Sequence, residues 1–405
     1  MRNNHAPGIT AVVMFVLLGA HVGVWGASLP WVATEGNLDP VQIGIALAVV
    51  ALVSIVTSLW AGRAIDLRGR RAVLVAGLAA MSLAFLSFGF LPLGPLLGKV
   101  SFVFLGIAIG LLDVAVNTIG SDFEKTLDKQ LMVGLHAGFS GGAAAGAGLV
   151  AAFTGVGAAP QTVLVGVGVL FAAAAVSAAH LPLPVHVLDA EVSLAAECAR
   201  RPRIGLLAGI VAVGTVCFFG DGLMENFSPL FFADRLQTTA TVTALAVSAF
   251  HACSFIGRVV LGIALMRTRR DIPIILTSAI LAAGAVTILI VPATGVPAAV
   301  IGMGITGFVL APLIPTAYSY LGRRGGSAAG RSISLLTSAS YAAFTLAPAA
   351  GGLIASAFGT QGSMLLAGLS YTAGAVLSAV LIATTFRSSR HPSNEAWRET
   401  ADDTL

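Results

Sequence analysis

Twelve apolar stretches of roughly membrane-spanning length follow one another along a chain of 405 residues, with only short polar breaks between them. A bilayer core of about 30 Å takes about 20 residues of helix to cross. Lipid offers no partner to open backbone groups, so the stretches must be helical. Read against the intervening charges, the spans are 9–34, 40–63, 72–92, 95–121, 132–155, 160–181, 204–233, 239–266, 272–292, 295–321, 329–357 and 361–386. Only 10% of the residues are charged, where a soluble domain carries about 25%. Most of the surface therefore faces lipid, and the fold class is an all-α, multi-pass membrane protein.

The loop charges orient it. Of the 22 Lys and Arg residues, all but Lys99, Arg235 and Arg258 fall in segments on one side of the membrane or their flanks. Basic loops stay in the cytoplasm, which puts both termini there. The net charge of +4 thus reflects topology and does not point to nucleic acid. Cys198, Cys217 and Cys253 have no metal-ligand spacing and suggest no disulfide framework. No cofactor, nucleotide loop or nucleophile–base arrangement is evident, so an enzyme is not expected.

The chain divides at its middle. Residues 1–181 carry six spans, 182–203 form a polar cytoplasmic linker, and 204–387 carry six more. Residues 388–405 read as a disordered cytoplasmic tail. Arg267, Arg269 and Arg270 follow span 8 as Arg68, Arg70 and Arg71 follow span 2. The halves therefore read as two pseudo-symmetric six-helix bundles. Span 5 holds Gly138, Gly141, Gly142, Gly146 and Gly148, small residues that let membrane helices approach closely. Pro312 and Pro315 should kink span 10.

Ionisable groups in hydrocarbon cost about 2.5–3.5 kcal/mol on the mildest scales, so each is a functional candidate. These are His21 in span 1, Asp113 in span 4, His136 in span 5, Asp221 and Glu225 in span 7, and His251 and Arg258 in span 8. Counted at about 1.5 Å per residue, they gather near the midplane. No other charge lies between Gly106 and Asn117, so Asp113 is a candidate proton carrier, or a structural carboxylate paired with a group such as His136. Asn117 shares its face one turn on. Asp221 and Glu225 are also one turn apart and suited to hold one proton between them. Trp25 could stack on a ring. Arg258 fits a gating ion pair or an anchor better than a solute contact.

One charged hinge carries a recognisable spacing: Gly62-x3-Asp66-x2-Gly69-Arg70-Arg71, between spans 2 and 3. It resembles the signature loop of major facilitator superfamily transporters, with Leu67 where the family usually has Arg. The segments Leu-Leu-Asp113-Val-Ala-Val-Asn117 and His136-Ala-Gly-Phe-Ser-Gly-Gly resemble the uncharacterised subgroup of the bacterial branch that includes the fucose–proton symporter. The resemblance implies a twelve-helix secondary transporter of the bacterial cytoplasmic membrane, a monomer working by alternating access. It also implies a small polar organic solute such as a sugar, with protons as the coupling ion. Spans 1, 4, 7 and 10 would line the cavity, placing His21, Asp113, Asp221, Glu225 and Tyr318 there. The signature loop would lock the inner gate, with Asp66 at the start of span 11 and Arg70 bridging nearby carboxylates. Drug exporters of this family carry an Arg in helix 4 and a Gly-Pro-x2-Gly-Gly element in helix 5. Neither is present, although Pro348 to Gly352 is a partial version in span 11. Efflux of amphipathic compounds and a non-transporting receptor are the alternatives.

Overall fold

The computed structural model describes residues 5–90, 95–127, 131–185, 204–267, 272–292, 295–313, 316–317 and 329–390. Among them there are twelve helices and no strand. The first half holds α1 (His5–Glu35), α2 (Pro40–Arg68), α3 (Arg70–Gly89), α4 (Pro95–Leu127), α5 (Met132–Gly155) and α6 (Pro160–Ala178). The second holds α7 (Ile204–Leu230), α8 (Ala240–Arg267), α9 (Ile272–Ile290), α10 (Val296–Leu310), α11 (Ala329–Phe358) and α12 (Thr360–Arg390). A short π-helix, Phe231–Arg235, extends α7. Ten helices are long and apolar enough to cross a membrane; the apolar parts Leu276–Ile290 and Val296–Leu310 are shorter.

Local chemistry sets the ends. Pro40 and Pro160 open their helices, where a missing N–H costs nothing. Asp39 and Gln42 exchange hydrogen bonds in a capping box at the start of α2. Glu124 accepts from the Leu131 and Met132 N–H groups at the start of α5. Arg71 donates to the Ala178 and Ala179 carbonyls, 2.9 Å each, and so ties down the end of α6 where a cation is favoured.

The prolines of span 10 were expected to kink it; the helix breaks at residues 311–312, a turn, and Leu313, Thr316 and Ala317 are helical again. Pro lacks the N–H that would continue the ladder. The tail was expected from Ser388, yet α12 continues to Arg390. Pro315, the linker from 186 to 203, Cys198 within it, and the tail from 391 lie outside the described residues.

Each half has its own apolar core. One is built on Phe15, Leu74, Met81, Phe85 and Phe171; the other includes Cys217, Phe231, Met303, Met364 and Tyr371. A third cluster joins the halves: Leu29, Ile43 and Leu47 from the first pack with Leu223, Phe227, Leu230 and Ala355 from the second. It lies toward the end of the molecule that holds the α1–α2 turn. There α2 and α11 meet backbone to backbone. A Cβ at Gly44 would stand 2.8 Å from the Pro348 oxygen and 3.0 Å from the Gly352 Cα. At the arginine-rich end, among the described residues, Gly62 and Gly134 have nothing within 4 Å of a Cβ position and Asp66 is exposed. The halves are sealed at the end that holds the α1–α2 turn.

Candidate functional site

A cavity with roughly 350 Å³ of empty space, its open mouth included, lies between the halves. α1 supplies Val22, Trp25 and Gly26; α7 supplies Met224, Glu225, Asn226 and Ser228. α8 adds Val247, Phe250 and His251, and α10 adds Met303. At about 1.5 Å per residue, and counting the π-helix with α7, Trp25, Glu225 and His251 each sit about 15 Å from the sealed-end terminus of their helix. Three helices thus present an indole, a carboxyl and an imidazole at one level. Trp25 is held from behind by Phe88 and Phe102, at centroid distances of 4.9 and 5.9 Å. The His251 ring packs edge-on against Phe250 at 5.1 Å. Asn226 donates back to the Gly222 carbonyl, 2.8 Å.

The other carboxyls stand deeper and have separate partners. Asp221 accepts a 2.7 Å hydrogen bond from the Tyr371 hydroxyl of α12, which is fully buried. Asp113 accepts from the Tyr341 hydroxyl of α11, 3.0 Å, and from the Asn117 amide, 3.0 Å. Asp113 and Tyr341 each lie about 26–27 Å from the sealed-end terminus of their helix, some way below the cavity. His136 is not the partner of Asp113 in this conformation; its ring packs edge-on against Phe15 at 5.2 Å. His21 is buried on α1 and does not line the cavity. Tyr318 lies outside the described residues. The structure therefore brings Trp25, Glu225 and His251 together, and places Asp113 and Asn117 at a second level.

Tyr341 and Tyr371 were not anticipated. A signal was present: the chain has only four tyrosines, and a phenol within an apolar helix needs an acceptor.

Arg258 crosses between the halves. Its guanidinium donates to the His136 carbonyl oxygen of α5, 3.1 Å. Its charge acts on both Asp221 and Glu225, while Nε is buried without a partner among the described residues. Two further bonds pin α8 to α5, Thr241 to Thr154 at 3.1 Å and Ser248 to the Ala144 carbonyl at 2.9 Å. Arg258 is thus an anchor along a seam already held elsewhere. Arg258→Gln is expected to remove a charge-assisted bond worth about 1.5–3 kcal/mol, lowering the thermal midpoint of the purified protein by several degrees. A midpoint within experimental error of the parent would contradict the anchoring role.

The arginine-rich turn works within one half. Arg70 pairs with Asp122 of α4 and donates to the Pro184 carbonyl beyond α6. With Arg71 on the α6 carbonyls, it staples α3, α4 and the end of α6. Asp66 is exposed; its expected contact at the start of α11 involves side chains outside the described residues. Gly69, at φ +81°, supplies the left-handed backbone that lets α2 end and α3 begin without a loop.

The Major Facilitator Superfamily model matches residues 10–233 and again 210–401. The chain belongs to the Major Facilitator Superfamily. An uncharacterised transporter of Sinorhizobium fredii, y4wD, is 28% identical over 94% of this chain and 100% of its own length. An uncharacterised superfamily-type transporter of Yersinia pestis is 24% identical over 89% of this chain and 94% of its own. Among solved structures, a mutant of the nucleoside transporter NupG superposes with a TM-score of 0.71, at 12% identity, over 92% of this chain and 99% of NupG. A second NupG structure gives 0.67 at 13% identity, over 93% and 98%. At that identity the likeness shows the fold. The protein is a superfamily transporter, and its relatives' names leave the solute open.

Proposed function

We propose that this transporter carries a small polar organic solute built around a ring, a sugar or a nucleoside, through the bacterial cytoplasmic membrane by proton-coupled alternating access. The observation that carries the reading is the cavity between the halves. An aromatic wall of Trp25 and Phe250 faces a carboxyl, an amide and an imidazole from Glu225, Asn226 and His251. A flat, hydroxyl-bearing solute fits such a lining: its face stacks on an indole, and its hydroxyls donate to the carboxyl. Midplane placement between repeats is where secondary transporters bind their solutes. The likeness to a nucleoside transporter adds nucleosides to the sugars expected from the sequence.

The test is uptake into proteoliposomes of radiolabelled sugars and nucleosides, under an imposed pH gradient. Glu225→Gln exchanges an acceptor for a mixed group; a hydrogen bond to a charged acceptor is worth about 1.5–3 kcal/mol. The half-saturating concentration of the transported solute should rise about tenfold or more, with the protein still folded. An unchanged value would place the solute elsewhere. Accumulation of no sugar or nucleoside, with extrusion of cationic amphiphiles instead, would overturn the solute class.

A further inference from the structure

The cavity accounts for Glu225 and His251, but not for the polar contact below it, where Tyr341 of the second half reaches Asp113 of the first. The helices that carry these residues are not neighbours in the packing. α11 packs on α7, α12 and α2, whereas α4 packs on α3, α2 and α1. The hydrogen bond therefore bridges a gap between the bundles. Tyr341 is 44% exposed, so its phenol is not sealed in a packed core. Phe218 of α7 lies beside it, ring centroids 6.5 Å apart, and sets the direction of the ring. On the other side, Asn117 steadies the same carboxyl from within α4.

We propose that Tyr341 is a coupling residue: its hydroxyl makes the surroundings of the Asp113 carboxyl depend on how the two halves stand. The inference rests on the proton-coupled reading above and deepens it. α11 is held to the first half at Gly44–Gly352, near the sealed end. Any rocking that parts this contact swings α11, and Tyr341 leaves Asp113. A group that is hydrogen-bonded in one conformation and not in the other binds protons differently in the two, and proton binding then biases the conformation by the same factor. The groups acting directly on Asp113 are Tyr341 and Asn117. Of the helices packed on α4, α1 carries His21, and α2 and α3 carry their charges at the arginine-rich end. On α5, His136 is turned to Phe15. Asp122, on α4 itself, is engaged by Arg70.

The experiment needs no solute. Spin labels replace Arg63 on α2 and Leu335 on α11, both exposed, in a chain with Cys198, Cys217 and Cys253 substituted. Distances are measured on the full chain in lipid nanodiscs between about pH 5.5 and 8.5. With Tyr341 intact, the ratio of short to long distances should change about tenfold over that range, and about threefold or less in Tyr341→Phe. Asp113→Asn should remove the dependence, and Phe218→Leu, which disturbs the ring's packing but keeps the hydroxyl, should retain it. Parent-like pH dependence in Tyr341→Phe would overturn the proposal, as would a flat response in the parent or an equal loss in Phe218→Leu. A screen that finds no transported sugar or nucleoside would count against the solute reading and leave these distances to decide the role of Tyr341.

Discussion

Asp113→Asn is expected to abolish accumulation of solute against its gradient while leaving exchange of solute across the membrane intact. If one proton accompanies each solute, every unit of pH difference is worth about 1.4 kcal/mol and supports about a tenfold concentration ratio. The asparagine fills nearly the same space and keeps one acceptor oxygen in place of the two that now accept from Tyr341 and Asn117 at 3.0 Å each. It cannot take up or release a proton. The accumulation ratio should fall to about one, because the gradient no longer does work on the solute, whereas counterflow between equal pH compartments needs only the cavity and the rocking motion. Retained accumulation would remove Asp113 from the coupling path. Loss of both activities would make it a structural carboxylate.

The second large effect concerns folding. Gly23→Leu is expected to leave no correctly folded protein. On α1, Gly19 and Gly23 are one turn apart and lie directly on the α5 backbone. A Cβ at Gly23 would overlap the Ala143 carbonyl oxygen and stand 2.8 Å from the Ala147 nitrogen. The fit is reciprocal: a Cβ at Gly142 or Gly146 would overlap the Val16 or Ala20 carbonyl oxygen of α1. The obstructing atoms are helix backbone, which cannot rotate away as a side chain can. Small-to-large changes in a packed core cost about 1–3 kcal/mol even where side chains can adjust. Here a whole branched side chain must part α1 from α5, and with them the indole wall of the cavity. The check is the monodisperse peak of detergent-purified protein on size exclusion. It should vanish for Gly23→Leu and persist for Gly166→Leu, where nothing lies within 4 Å of the Cβ position. A folded, active Gly23→Leu protein would contradict the close packing of α1 on α5.

These two cases show what the sequence made readable. Span positions came from hydrophobic runs and loop charge, and the helix bounds follow because Pro40, Pro160 and the Asp39 capping box sit where runs begin. Span 10 shows the limit. A run of apolar residues does not reveal that a turn at 311–312 interrupts the helix before Leu313, Thr316 and Ala317. The glycines of α5 suggested close approach, but which helix faced them depended on the packing of the bundle. The candidate site was legible as a set of residues at similar depth. Depth along a helix says nothing of which side faces the cavity, so Trp25, Glu225 and His251 could not be separated from His21. Nor could counting foresee Tyr341 or Tyr371, whose partners lie 228 and 150 residues away in the chain. Asp66 marks a different gap: its expected contact with the start of α11 involves side chains outside the described residues.

In the proposed mechanism, solute and proton move together through the space between the halves. The most direct measurement loads proteoliposomes with a pH-sensitive dye, with no gradient imposed, and adds the sugar or nucleoside that the uptake assay identifies. The interior should acidify as solute enters, and Asp113→Asn vesicles should exchange solute with no change in dye signal. Solute entry through the unaltered protein at constant internal pH would contradict it.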